Sequence, residues 1–139
     1  MTETPRALLS LEDTEQLAVE LAGKLRAGVT VGLVGPLGAG KTTFVRFLVK
    51  ALGGESSEVA SPSFALQHEY AVGEGRTIEH WDLYRLSTLP EELMEPPEVN
   101  VMRLIEWPDR FSEVMVSVDW VVVLEVDVGG GRALTIHIF

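Results

Sequence analysis

Residues 35–43, Gly-Pro-Leu-Gly-Ala-Gly-Lys-Thr-Thr, have the types and spacing that chemistry on a phosphate ester needs. The pattern is Gly35, four residues, then Gly40-Lys41-Thr42, the signature of a phosphate-binding loop. Gly35, Gly38 and Gly40 lack a Cβ, so the backbone there can adopt unusual dihedrals and approach a ligand closely. Successive amides, Ala39 included, would then face phosphate oxygens at the positive end of a following helix. Lys41 would reach the β- and γ-phosphates, the Thr42 hydroxyl would ligate magnesium, and Thr43 could touch the α-phosphate. The competing reading is a glycine-rich turn carrying a solvated lysine. It is disfavoured because the flanking segments are the strand and helix that such a loop requires. The expectation is a protein that binds a nucleoside triphosphate with Mg2+.

Hydrolysis of a triphosphate also calls for carboxylates, to hold the metal and to orient or deprotonate the attacking water. Glu106 closes the apolar run Val101–Glu106, and Asp82 follows a strand candidate within His-Trp-Asp-Leu-Tyr-Arg. Glu106 is thus a candidate magnesium carboxylate beside Thr42, and Asp82 a candidate catalytic acid; Lys41 completes the catalytic set. Glu106 could instead be a solvated strand end, and Asp82 a turn or helix cap. His80 reads as a structural histidine near the site. Trp107 directly follows Glu106 and could be core, or could stack on or gate the nucleotide. Tyr84 and Arg85 could simply anchor the hairpin to the body.

The elements that must position these groups follow from hydrophobic periodicity. Arg6 to Leu9 is a short strand candidate. Ser10 to Thr14 offers N-caps for a helix to about Ala27, with Leu17, Ala18, Leu21, Ala22 and Leu25 on its core face and Gly28 as C-cap. Val31, Leu33 and Val34 give the strand before the loop; Phe44 to Leu52 give the helix after it, stopped by Gly53-Gly54. Glu55 to Pro62 reads as a loop. Phe64–Ala71 and Arg76–Trp81 form a hairpin around residues 72–75. Leu89 to Leu93 suits one or two helical turns, ended by Pro96-Pro97. Val101–Glu106 is a strand, residues 108–116 are irregular, and Trp120–Val128 with Arg132–Phe139 make a terminal hairpin around three glycines. The expectation is a single α/β domain over residues 1–139: a P-loop NTPase-like mixed β-sheet flanked by helices.

Composition narrows the partners. The chain has 139 residues, 46% of them hydrophobic, and no cysteine. Disulfides, cysteine zinc sites and thiol nucleophiles are therefore excluded. No apolar run approaches the roughly 20 residues that cross a bilayer, and no secretory signal is visible. The expected location is the cytoplasm. Acidic residues number 21 against 11 basic ones, a net charge of −10 without a basic cluster. Direct grip on nucleic acid needs a basic face, so any role in RNA chemistry should run through a protein partner.

The motifs GPLGAGKTTF, SPSF, Tyr70, HWDLYR followed by Glu-Glu-Leu, and IEW stand in the order and approximate spacing of the TsaE (YjeE) family. The chain resembles that family from about Ser10 to Arg132. The resemblance implies the bacterial ATPase subunit of the machinery that makes threonylcarbamoyladenosine in tRNA. By resemblance, Gly38 to Thr43 cradle ATP, Thr42 and Glu106 are associated with magnesium, and Ser61–Phe64 is a switch-like segment near the γ-phosphate. Asp82 matches a catalytic or metal-orienting carboxylate, Trp107 a tryptophan beside the nucleotide, and Thr14 and Arg132 contacts to base or ribose. The subunit is implied to dock on the threonylcarbamoyl-transfer complex and reset it between turnovers. Contact with tRNA would then be indirect, and slow hydrolysis alone would be expected.

This chain departs from the family pattern at Pro36, where an Asp is usual, at Ser63, where a Thr is usual, and in the short segment Met94–Asn100. Other functional classes would make different demands on these residues. A small-molecule kinase would need lid arginines, and none cluster here. A guanine-reading Asn/Thr-Lys-x-Asp is absent, because Lys24, Lys41 and Lys50 are followed two places on by Arg26, Thr43 and Leu52. A nucleotide-sensing adaptor without turnover shares the loop.

Overall fold

A computed structural model describes residues 2–59 and 66–139. The order of elements runs β1 (Arg6–Leu8), α1 (Leu11–Lys24), β2 (Thr30–Val34), α2 (Lys41–Ala51), β3 (Gln67–Ala71), β4 (Thr77–Asp82), β5 (Val101–Glu106), α3 (Ser112–Met115), β6 (Trp120–Val126) and β7 (Arg132–Ile138). Single 3-10 turns lie at Ser56–Glu58, Gly73–Gly75, Glu91–Met94 and Pro108–Arg110.

Among the described residues seven strands form one sheet, in the order β1-β7-β6-β2-β5-β4-β3. Strands β6, β2, β5 and β4 run parallel, and the outer pairs β1·β7, β6·β7 and β3·β4 are antiparallel. The expected mixed sheet with flanking helices is what forms. The burial of β2 and β5 explains why neither alternates apolar with polar residues, because a parallel strand covered on both faces has no solvent side to mark; the one charge inside β5, Arg103, is buried and paired with Glu79. On one face α1 and α2 pack Leu17, Leu21, Phe44 and Leu48 against Leu33, Leu104 and Val122. On the other, Trp81, Leu83, Ile105 and Val121 meet Leu93, Val114 and Val118 from the turns and α3.

Several boundaries differ from the sequence expectation. The first helix begins as expected, with the Ser10 side chain accepting from the Asp13 N–H and Asp13 accepting from the Leu9 N–H. It ends at Lys24 rather than near Ala27, and Gly28 is not its C-cap. Leu25 is already extended, and the Gly28 N–H donates to Val101 O at 2.6 Å, so this segment is tied to the start of β5 instead of continuing the helix. Leu66 has a φ of 61°, so β3 starts after it, and Phe64 and Ala65 lie outside the described residues. The terminal hairpin gives up Val128 because Asp127 turns the chain, accepting from the Gly131 N–H.

Candidate functional site

In an open parallel sheet, ligands bind beyond the carboxyl ends of the strands. Here β2 runs into the glycine-rich loop at that edge, while β4 ends on Asp82 and β5 on Glu106. Register aligns them: Glu106 pairs with Leu33 on one side and with Asp82 on the other. Paired residues of parallel strands project to the same face, so both carboxylates rise beside the loop.

The loop itself is shaped by close approach. A Cβ on Gly35 would lie 2.6 Å from Leu124 O, which bars any larger residue where the loop leaves β2. Gly38 and Gly40 have φ of 77° and 102°, the left-handed region that favours glycine, and a Cβ on either would meet nothing within 4 Å. Gly40 caps α2 without a side-chain hydrogen bond. The first amides of α2 therefore have no side chain competing for them, as an anion site at a helix N-terminus requires.

A cavity of about 400 Å³ opens here, lined by Gly38, Gly40, Lys41, Thr42, Thr43, Asp82, Glu106, Trp107 and Arg132 among others. That is within the usual range for small-ligand sites. Lys41 is nearly buried and folded back: its Nζ donates to Gly35 O and lies 3.7 Å from the Trp107 ring centroid. Burial pulls its ammonium below the ordinary lysine range, partly offset by the charges of Glu106, Asp82 and Asp109. The Thr42 hydroxyl donates to Glu106 Oε2 at 3.3 Å. Glu106 also accepts from His80 Nε2 at 2.6 Å, and His80 Nδ1 is 3.0 Å from the Tyr70 hydroxyl.

Trp107 departs from β5 with a φ of 61°, its N–H donating to Leu33 O. Left-handed backbone is costly for a bulky residue, and such outliers cluster at functional sites. The turn carries the indole back over the loop, where it packs on Tyr84 at 4.7 Å between ring centroids. The Asp82 Oδ1 accepts from the Tyr84 N–H at 2.9 Å, so this acid caps a turn and lines the cavity at once.

Most of the site residues expected from sequence therefore converge. Gly35 and Ala39 support the loop from below, Ala39 being buried. Arg132 reaches the loop from β7, its guanidinium donating to Gly38 O at 3.3 Å. Thr14 does not line the phosphate cavity. It belongs to an adjoining cavity of about 220 Å³ with Leu9, Leu11, Gly130 and Arg132, so Arg132 borders both. Ser61–Phe64 lies outside the described residues. Sequence reasoning left Tyr84 and Arg85 as anchors, whereas both line the cavity. Their position two and three residues after Asp82, beyond a strand's carboxyl end, was the available signal.

The donor set fits magnesium. It offers a hydroxyl and carboxylates, all hard oxygen donors, and among the described residues no group of three or more His, Asp and Glu could hold a metal ion by itself. Magnesium typically takes one or two protein carboxylates and completes its shell with phosphate oxygens and water.

The model of the family described as "Threonylcarbamoyl adenosine biosynthesis protein TsaE" matches residues 8–134. A tRNA threonylcarbamoyladenosine biosynthesis protein TsaE from Synechocystis sp. is 36% identical over 114 residues, covering 77% of this chain and 71% of that one. The Treponema pallidum protein of the same name is 33% identical, covering 91% and 95%. The Rickettsia conorii one is 42% identical, and the match spans 63% of its length, less than two thirds. The crystal structure of Bacillus subtilus YdiB superposes with a TM-score of 0.69 at 23% identity, covering 98% of this chain and 86% of that one, a likeness of fold.

Proposed function

The chain belongs to the TsaE family, and from that premise we propose that it is the ATP-binding, ATP-hydrolysing subunit of tRNA threonylcarbamoyladenosine synthesis. The observation that carries the reading is the convergence of the loop, Lys41, Thr42, Asp82 and Glu106 on one cavity at the carboxyl ends of parallel strands. In this reading the loop amides and Lys41 bind the phosphates of ATP. Lys41 must first leave Gly35 O and the Trp107 face, so nucleotide replaces an internal set of contacts. Thr42 and Glu106 would hold magnesium, which when bound would neutralise charge on the phosphate oxygens.

Asp82 orients the attacking water and accepts its proton. The water oxygen bonds to the γ-phosphorus as the bond to the bridging oxygen breaks, and ADP leaves with that electron pair. Asp82 and Glu106 are each nearly buried, which keeps bulk water from screening their charges.

The protein acts in this reading by docking on the threonylcarbamoyl-transfer proteins and resetting them, with tRNA contacted indirectly. The net charge of −10 supports that division of labour. Among the described residues no helix is long and apolar enough to cross a membrane. The test is ATP turnover measured alone and with the purified transfer complex. Magnesium-dependent turnover that rises on adding the complex is expected; binding without turnover in either condition would replace the ATPase with a nucleotide-sensing adaptor.

A further inference from the structure

The hydrogen bonds around Glu106 continue well away from the phosphate cavity. His80 is fully buried and lies on the same face of β4 as Asp82, two residues on. Its Nε2 is 2.6 Å from Glu106 Oε2, the same oxygen that accepts from Thr42. Its Nδ1 is 3.0 Å from the hydroxyl of Tyr70 on β3, itself 98% buried, and that hydroxyl is also 3.4 Å from His68 Nδ1. A carboxylate only accepts hydrogen bonds, so the ring nitrogen facing Glu106 carries a proton. With a neutral ring, Nδ1 is then an acceptor, and the Tyr70 hydroxyl donates to it.

We propose that Tyr70 and His80 are positioning residues: Tyr70 holds the His80 tautomer, and His80 holds the Glu106 carboxylate oriented for magnesium. The proposal rests on the reading of Glu106 as a magnesium carboxylate. It adds two residues that never enter the cavity, since neither lines it. The physical reason is that a ligating carboxylate must be held at a defined angle, and its outer hydrogen bonds do this. Loss of such partners typically weakens metal affinity by about 10- to 100-fold.

The readout is nucleotide binding titrated with magnesium, by fluorescence of a labelled ATP, rather than turnover. His80→Leu should raise the magnesium concentration for half-maximal binding at least about tenfold, while binding in chelator stays at the wild-type level. His80→Gln can present its side-chain amide near the position of the imidazole Nε2–H, and should recover most of that loss. Tyr70→Phe should raise the magnesium requirement about fivefold, the weight of one neutral hydrogen bond, and should add nothing in the His80→Gln background, where no tautomer remains to fix. Tyr70→Phe keeps the outline of the buried side chain, so it decides the matter even if His80→Leu fails to fold. Unchanged magnesium dependence in Tyr70→Phe would overturn the proposal, as would equal losses with and without magnesium. If wild-type binding itself ignores magnesium, the reading of Glu106 fails instead, a distinguishable result.

Discussion

Asp82→Asn separates two functions that the structure combines in one side chain. Oδ1 accepts from the Tyr84 N–H at 2.9 Å, and an asparagine Oδ1 can accept the same bond. The turn should therefore survive, and the protein should remain folded with a smaller loss of stability than Asp82→Ala suffers. Loss of the charge acts on the proposed proton acceptor, and the expected cost is a turnover decrease of about 100-fold or more. That corresponds to about 2.7 kcal/mol on the barrier. Nucleotide affinity should be nearly unchanged. Asp82→Ala is the control, because it loses charge and turn together; a lost turn bond costs about 1 kcal/mol, or roughly 4 °C in Tm for a domain of this size. The assay is single-turnover ATP hydrolysis with the transfer complex present, beside a binding titration and a thermal melt. Wild-type turnover by Asp82→Asn at saturating ATP would refute the catalytic role and leave Asp82 a turn cap.

Lys41→Ala should abolish ATP binding without lowering the Tm of the nucleotide-free protein, measured by calorimetry. Burial depresses the Lys41 ammonium, so the unfolded chain binds more protons than the folded one between the folded pKa and the ordinary lysine value, and stability rises with pH there. The penalty is fully present below the folded pKa and fades as pH rises to the ordinary lysine value, and Lys41→Ala should remove that part of the pH slope. Thr42→Ala and Glu106→Gln should each weaken magnesium-dependent binding, and a double-mutant cycle should give less than the sum because both serve one ion. Competition titrations should show ATP displacing a labelled ATP analogue at lower concentration than GTP does, since the guanine-reading motif is absent.

The glycine-rich loop and the strand ending on Glu106 were legible because each is a contiguous pattern whose chemistry is local. The expected sheet followed from apolar runs separated by turn residues. What was not legible depended on register. The bond from His80 to Glu106 joins residues 26 apart, and nothing local to either marks it; only the alternation placing His80 and Asp82 on one strand face pointed toward it. The adjoining cavity with Thr14 depends on where β1 and β7 meet, which no single segment encodes. The shortened first helix was hidden because Leu25 continues its apolar spacing, while the Gly28 to Val101 bond that competes with further helix is long-range.

The position of β2 within the sheet has a consequence for how the protein is made. Its neighbours are β5 and β6, and both are translated long after it. The phosphate loop emerges from the ribosome early, but the strand that supplies Glu106 spans Val101–Glu106, and the flank that seats Gly35 against Leu124 comes later still. Pairings between segments so distant in the chain carry a large closure entropy and form late. A nascent chain therefore leaves the apolar β2 without its first sheet neighbour until residues 101–106 are free and without its second until residues 120–126 are, and ATP has no finished pocket to bind during that interval.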